Sequence, residues 1–403
     1  MEVWKKNMIV CCITVFIVSS GMSQMAPMLP LYIEQLGVHD SGDVARWSGI
    51  VFGANFISLA IFSPIWGKLA DKYGRKPMVL RASLWLAIIM VCMGFVQNVY
   101  QLAGLRVCQG AMAGFQTASI TLVAMQTPRE RAGWALGMIY TAQVGGGLLG
   151  PFIGGALSVV VGFRGMFITI GALCFIAFLA SLIFVKEEKV TEQAETTLTL
   201  RAVWKKLPDP QTTLCLLAST FVLQLALMSI QPIITVYIKT LSIEDVSVAN
   251  VAFVAGAVFS ATGLASVLAS SPLGRLSDRI GPQRVLPMAL LVAGALFIPQ
   301  AFVRDAWELG ILRFLLGLAT AGLLPAINSL IRQTTPMAVT GRAYGYNQSA
   351  QFLGTFFGAI LGGQMAALFG LRSVFFFTGA LLLLNAVWAH TMIRGDGKNE
   401  AGI

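Results

Sequence analysis

Residues able to do chemistry are few in this chain and unusually placed. Its 403 residues include 18 Asp and Glu, two His and six Cys, against 28 Lys and Arg. They form no Ser/His/Asp set, no phosphate-binding glycine loop and no metal-ligand cluster, so no catalytic residue, metal or cofactor is assigned and an enzyme is not expected. Two arginines stand out instead. Arg106 and Arg313 each sit alone inside an apolar stretch, 207 residues apart. A guanidinium at membrane depth costs about 2.5–3.5 kcal/mol on insertion scales, so it faces a wet cavity or a counter-charge unless it snorkels to the rim. The chemistry open to such a group is charge handling: attracting an anion or assisting proton transfer. A partner carboxylate has to come from acids that lie mostly in hydrophilic stretches, and Glu34, at the end of the first apolar run, is the candidate. Proton affinity of a carboxylate rises with burial and falls beside an arginine, which is the behaviour a proton carrier needs.

The elements that position these groups follow from composition. The chain is 56% hydrophobic and 11% charged, with a mean hydropathy of +0.76. Soluble domains carry about a quarter charged residues. Apolar runs of about twenty residues recur throughout and do not alternate in polarity, so they read as membrane-spanning helices and not barrel strands. Spans are expected near 7–33, 44–66, 77–96, 100–125, 132–160 and 164–185, then 212–238, 249–271, 284–302, 307–331, 341–369 and 372–393. The first is kept as a span and not a cleaved leader, because eleven more follow it. All six cysteines fall in these runs, as packing residues or free thiols.

The net charge of +10 does not point to nucleic acid, because the basic residues gather in alternate loops. Twenty-one of the 28 fall in one set of loops and the two tails; Arg46, Arg164, Lys239, Arg304 and Arg372 fall in the other. This asymmetry predicts a bacterial cytoplasmic (inner) membrane protein with both termini and the polar segment 186–211 in the cytoplasm.

The 207-residue spacing of the two arginines is one sign of a larger repeat. GKLADKYG (67–74) aligns with GRLSDRIG (274–281), and LAGLRVCQG (102–110) with LGILRFLLG (309–317). After one inserted residue, GPFIGG (150–155) aligns with GAILGG (358–363) and GFRGMF (162–167) with GLRSVF (370–375). Pro27 and Tyr32 pair with Pro232 and Tyr237 at an offset of 205. Six spans duplicated in parallel predict an all-α membrane protein of twelve helices in two pseudo-symmetric bundles, 1–185 and 212–403, joined by the linker 186–211. Such repeats place the binding site between them near the midplane. Polar and flexible residues expected to line it are Gln24, Met25, Asn55, Gln116, Tyr140, Gln143, Gln224, Met228, Gln231, Asn328, Gln348, Gln351 and Phe352.

Three motifs resemble the major facilitator superfamily, and within it the twelve-span drug:proton antiporters, over essentially the whole chain. Gly67, Leu69, Ala70, Asp71, Gly74, Arg75 and Lys76 match the family's loop between spans two and three; Gly146, Gly150, Pro151, Gly154 and Gly155 match its span-five antiporter motif. Arg106, Gln109 and Gly110 match its span-four motif, and Gly21, Pro27 and Pro30 a span-one pattern. The closer resemblance is to MdtG-like multidrug efflux transporters. It implies a major facilitator fold and proton-coupled export of small amphipathic compounds by alternating access, with protons, a small-molecule substrate and the bilayer as partners. A monomer is expected, with no nucleic acid and no ATP-binding motif. An exporter of one metabolite, such as a siderophore or lipid precursor, and a non-transporting membrane sensor are the alternatives.

The resemblance also implies residue roles. Asp71 and Asp278, with Gly67, Gly74, Gly274 and Gly281, form a conformational latch against facing helix ends near Gly341 and the start of span five. Arg75 pairs with Glu130; their counterparts, Pro282 and Ala338, have both lost the function. The glycine stripe of span five is expected to pack on a small-residue face of span eight (Ser260, Gly263, Ser266, Ser270), and Pro151 to bend its helix. Arg106 is implied in proton transfer, with Glu34 and Arg313 as further coupling candidates.

Overall fold

A computed structural model of the chain describes residues 2–187, 210–241 and 248–396, and in it the described residues are helices joined by short turns. Span one is two helices, Val3–Ser23 and Met25–Gln35; span two is Ser41–Tyr73 and span three Arg75–Met93. Span four is Val99–Ala111 followed by Phe115–Gln126. Spans five and six share one 53-residue element, Ala132–Phe184, divided by the non-helical Gly162. The second half repeats this plan: span seven is Pro210–Ile230 and Ile234–Leu241, eight is Val248–Ile280, and nine is Pro282–Gln300. Span ten is Ala306–Thr320 and Leu323–Thr334, eleven is Met337–Phe369 and twelve is Leu371–Asp396.

Among the described residues ten elements are long and apolar enough to cross a membrane. One of them holds two passes, and broken span four is not among them, so the twelve expected passes are present. The corner between spans five and six is made by Gly162, whose φ of +71° a side chain would resist. The helix runs on through Pro151 without a non-helical residue, and the corner at Gly162 falls between the two spans expected at 132–160 and 164–185.

The chain packs as two units. One comprises residues 1–40, 50–194 and 243–260; the other comprises 41–49, 195–242 and 261–403. Within the first, span one lies along span five because Gly146, Gly150 and Gly154 present a bare stripe. A methyl group on any of them would strike Phe16 O, Ser20 O or Gln24. Within the second, Gly354, Gly358 and Gly362 seat span seven on span eleven in the same way, against Phe221, Leu225 and Ser229. Small residues allow this approach, and dispersion between the close backbones replaces the hydrophobic drive that lipid removes.

Candidate functional site

Among the described residues four spans depart from regular helix: four breaks at 112–114, where Gly114 is left-handed, seven turns at 231–233, and one and ten loosen at Gln24 and 321–322 while keeping right-handed helical φ/ψ. These are first and fourth in each half. An interrupted helix frees backbone polar groups that lipid cannot satisfy, so irregular backbone at membrane depth belongs where protein or water covers it.

The two buried arginines sit in the N-terminal segments of spans four and ten. Arg106 is 3% exposed; its guanidinium donates to Gln109 Oε1 and, from Nε, to Val51 O at 3.4 Å, with Phe52 5.9 Å away. Arg313 is 5% exposed and lies 5.9 Å from the Phe297 ring, but its Nε and Nη2 are buried without a hydrogen-bond partner. Glutamine at 109 becomes Leu316 in the second half, which explains the lost acceptor. Glu34 is part-buried in the last turn of span one.

The span-two-to-three turn is organised by an acid that sequence reasoning passed over. Glu187 Oε1 accepts from Arg75 N at 2.6 Å and Oε2 from Lys76 N at 2.8 Å. A carboxylate there caps the first turn of span three and meets its positive dipole end. Gly74, at φ +97°, leaves room for it, since a side chain would collide with the carboxylate. Glu187 is itself anchored by its neighbour: Lys186 N donates to Asn7 Oδ1 at 3.0 Å, and Lys186 O accepts from Asn7 Nδ2 at 2.6 Å and Gln126 Nε2 at 2.9 Å. The ends of spans one, three, four and six thereby meet at residues 186 and 187. A carboxylate just past a long apolar run was the available signal, but distance in sequence hid its target. Glu130 is exposed in the short turn Arg129–Arg131, and Asp278 is exposed near the end of span eight. The side chains of Asp71 and Gly341, and most of the linker 186–211, lie outside the described residues.

The two halves match in their tertiary bonds as well as in order. Tyr32 donates to Met93 O at 2.6 Å and packs its ring, tilted by 52°, against Phe167 at 4.9 Å; Tyr237 donates to Gln300 O at 3.0 Å and packs its ring, tilted by 53°, against Phe375 at 4.8 Å. These are the aligned positions of the repeat. The Major Facilitator Superfamily model matches residues 11–259 and 216–401. The chain belongs to the Major Facilitator Superfamily. It is 40% identical to the multidrug resistance protein MdtG of Enterobacter lignolyticus, over 98% of this chain and 94% of that one. It is 39% identical to the MdtG of Proteus mirabilis and 40% to that of Salmonella typhimurium, each over 97% of this chain and 96% of the other. Among solved structures it resembles a bacterial homolog of the human lysosomal transporter Spinster, in an inward-facing and occupied conformation, with a TM-score of 0.81 at 14% identity and 98% of each chain covered. It also resembles the nucleoside transporter NupG, at a TM-score of 0.78 and 13% identity over 97% of this chain and all of that one. At these identities the likeness is one of fold, the all-α, two-bundle architecture; the family and the many apolar helices make the chain an integral membrane protein.

Other expected contacts of the superfamily motifs are redistributed. The stripe of span five faces span one, as described, because Gly146, Gly150 and Gly154 lie on one helix face and Gly155 on the next. Span eight meets that second face: Gly155 lies against Ala252 and Phe253, Gly256 against Pro151 O, and Ser260 Oγ donates to Leu148 O at 2.7 Å. Of the small-residue face predicted for span eight, Ser266 instead donates to Gly317 O of span ten at 3.1 Å. In the second unit Gly363 lies against Ala45 and Gly49 of span two, the repeat of the same contact. The break at 112–114 also separates Gln116 and Thr117 from the helix segment of Arg106; Gln116 Nε2 donates to Ser19 Oγ of span one at 2.9 Å.

The expected pocket residues divide by exposure. Gln24, Met25 and Asn55 are wholly buried, and both ends of the Gln24 amide lack a partner. Tyr140 and Gln348 are exposed, and Gln116, Gln143, Gln224, Met228, Gln231, Asn328, Gln351 and Phe352 are part-exposed. Asn328 is fixed by Asn347 Nδ2 at 3.0 Å and by Tyr344 OH, which donates to Asn328 O at 3.2 Å; neither partner was singled out from sequence.

Proposed function

We propose that the protein is a proton-coupled secondary transporter exporting small amphipathic compounds, as its named multidrug-resistance relatives suggest. In this reading the bundles 1–185 and 212–403, joined by the linker 186–211, alternate in access. They do so as a monomer in the bacterial cytoplasmic membrane, with both termini inside. The observation that carries it is the placing of the helix irregularities, which fall in the first and fourth span of each repeat. Interrupted helices at matched places in a repeat are where transporters expose backbone groups to substrate and coupling ion. Arg106 and Arg313 add buried charge at matched depths, and a buried charge in a span is by default functional. Glu34 is the proton carrier in this scheme, and Asp71, Asp278, Arg75 and Glu130 act in the latch.

Inverted membrane vesicles given separate pH and Na⁺ gradients test the coupling: ethidium uptake should follow the pH gradient alone. Glu34→Gln should abolish that proton-driven uptake while dye binding to the purified protein stays measurable; unchanged uptake removes Glu34 from the mechanism. Counterflow in proteoliposomes tests transport itself, since a sensor exchanges nothing.

A further inference from the structure

Span four is interrupted at 112–114, and two carbonyls at the break are taken by side chains from neighbouring spans. Trp66 Nε1, on span two, donates to Ala111 O at 2.6 Å, and Arg81 Nη2, on span three, donates to Ala113 O at 2.8 Å. The donors also hold each other, with the Arg81 guanidinium carbon 3.3 Å from the centre of the Trp66 ring, a close cation–π stack. Between them Gly114 turns the chain at φ +113°.

A continuous helix would need those same acceptors. In an α-helix Ala111 O receives the N–H of Phe115 and Ala113 O that of Thr117. The two side chains compete for the acceptors that the helix would use to close. Beside the break is a cavity of about 140 Å³, lined by Trp66, Met78, Arg81, Ala113, Gly114 and Thr117.

The second half lacks the arrangement. At the repeat offset Trp66 becomes Leu273 and Arg81 becomes Met288, neither able to donate. Span ten turns over two residues, 321–322, both with right-handed helical φ/ψ, whereas Gly114 in span four is left-handed. Gly322 there lies against Leu273.

We infer that Trp66 and Arg81 are positioning residues that hold span four open at 112–114 and make that point the hinge of the first bundle, a device the second bundle does not have. The opening itself is independent of the transport reading; only its use as a hinge in the cycle rests on it. An Arg81 serving only as an orienting surface charge would be replaceable by Lys, whereas stacking on Trp66 while reaching Ala113 O needs the planar fork.

The test writes the second half's residues into the first. In the full-length protein in nanodiscs, W66L/R81M should slow hydrogen exchange at the Phe115 and Thr117 amides by roughly tenfold, because the freed carbonyls take them up. R81K should slow Thr117 but leave Phe115 near the wild-type rate. Unchanged or faster exchange at both amides in the double variant overturns the proposal, since loss of a merely structural contact loosens the site. Should the double variant not fold, W66L alone carries the same sign at Phe115. Ethidium flux in proteoliposomes reads the hinge: maximal rate should fall roughly tenfold with KM within about twofold. Slowed exchange with unchanged flux would overturn the hinge and keep the clamp. Absent wild-type flux counts against the transport reading and leaves the exchange result to decide the clamp.

Discussion

The two halves share one scaffold and treat its polar groups differently. In the first, polar side chains satisfy what the backbone or a buried charge leaves open. Glu187 takes the N–H groups of Arg75 and Lys76, Gln109 and Val51 O take Arg106, and Trp66 and Arg81 take two carbonyls of span four. In the second, the need is often removed or left standing. Pro282 replaces Arg75 and has no N–H to satisfy, which suits the first position of span nine. Leu316 replaces Gln109, and Arg313 keeps two buried nitrogens without partners. Duplication preserved the close-packed glycine and tyrosine contacts, which every copy needs to fold. The polar devices diverged, because a backbone group can be satisfied by adding an acceptor or by deleting the donor.

Where the halves agree, damage should be equal. Gly150→Val and Gly358→Val each force a side chain into backbone of the neighbouring span. Overpacking costs roughly 1–3 kcal/mol where neighbours can yield and more where they cannot, so both variants should lose most folded protein in detergent size-exclusion profiles. Survival of one would show that its bundle packs by other contacts.

Where they differ, the arginines should separate them. Arg106→Met strands the buried Gln109 Oε1 and should lower stability by roughly 1–3 kcal/mol, whereas Arg313→Met removes an unpartnered buried cation and should be neutral or stabilising. Thermal unfolding in matched micelles checks the sign; equal losses would mean that Arg313 is paired in the folded ensemble.

A smaller effect is expected at the tyrosines. Tyr32→Phe and Tyr237→Phe each remove one donor to a helix-end carbonyl, worth roughly 1–2 kcal/mol, and should do so alike. The smallest belongs to the cap: Glu187→Ala should cost about 1 kcal/mol and raise amide exchange at Arg75 and Lys76. No equivalent change can exist at Pro282, the counterpart of Arg75, because proline has no amide N–H.

Much of the architecture was legible because its causes are local or periodic. Runs of apolar residues, basic loops and a 207-residue repeat each follow from lipid, membrane orientation and duplication acting on consecutive residues. Twelve helices and two bundles needed no knowledge of contacts. The site was less legible. Arg106 and Arg313 were visible as charges out of place, but nothing in their immediate sequence said that one is satisfied and the other is not. Gln116 was expected to line the pocket from span four, and the break at 112–114 places it in a different helix segment from Arg106.

What residue order determined by itself was the number and kind of elements, their pairing across the repeat, and which few side chains must carry charge inside lipid. Tertiary structure alone decided the partners: span one and not span eight for the glycine stripe, Glu187 for the start of span three, Trp66 and Arg81 for the opened backbone of span four. The physical reason is range. Hydropathy and helix formation act between residues a few positions apart, whereas a hydrogen bond or a close backbone contact joins residues separated here by 32 to 179 positions. Many chain paths satisfy the first condition, and packing selects among them.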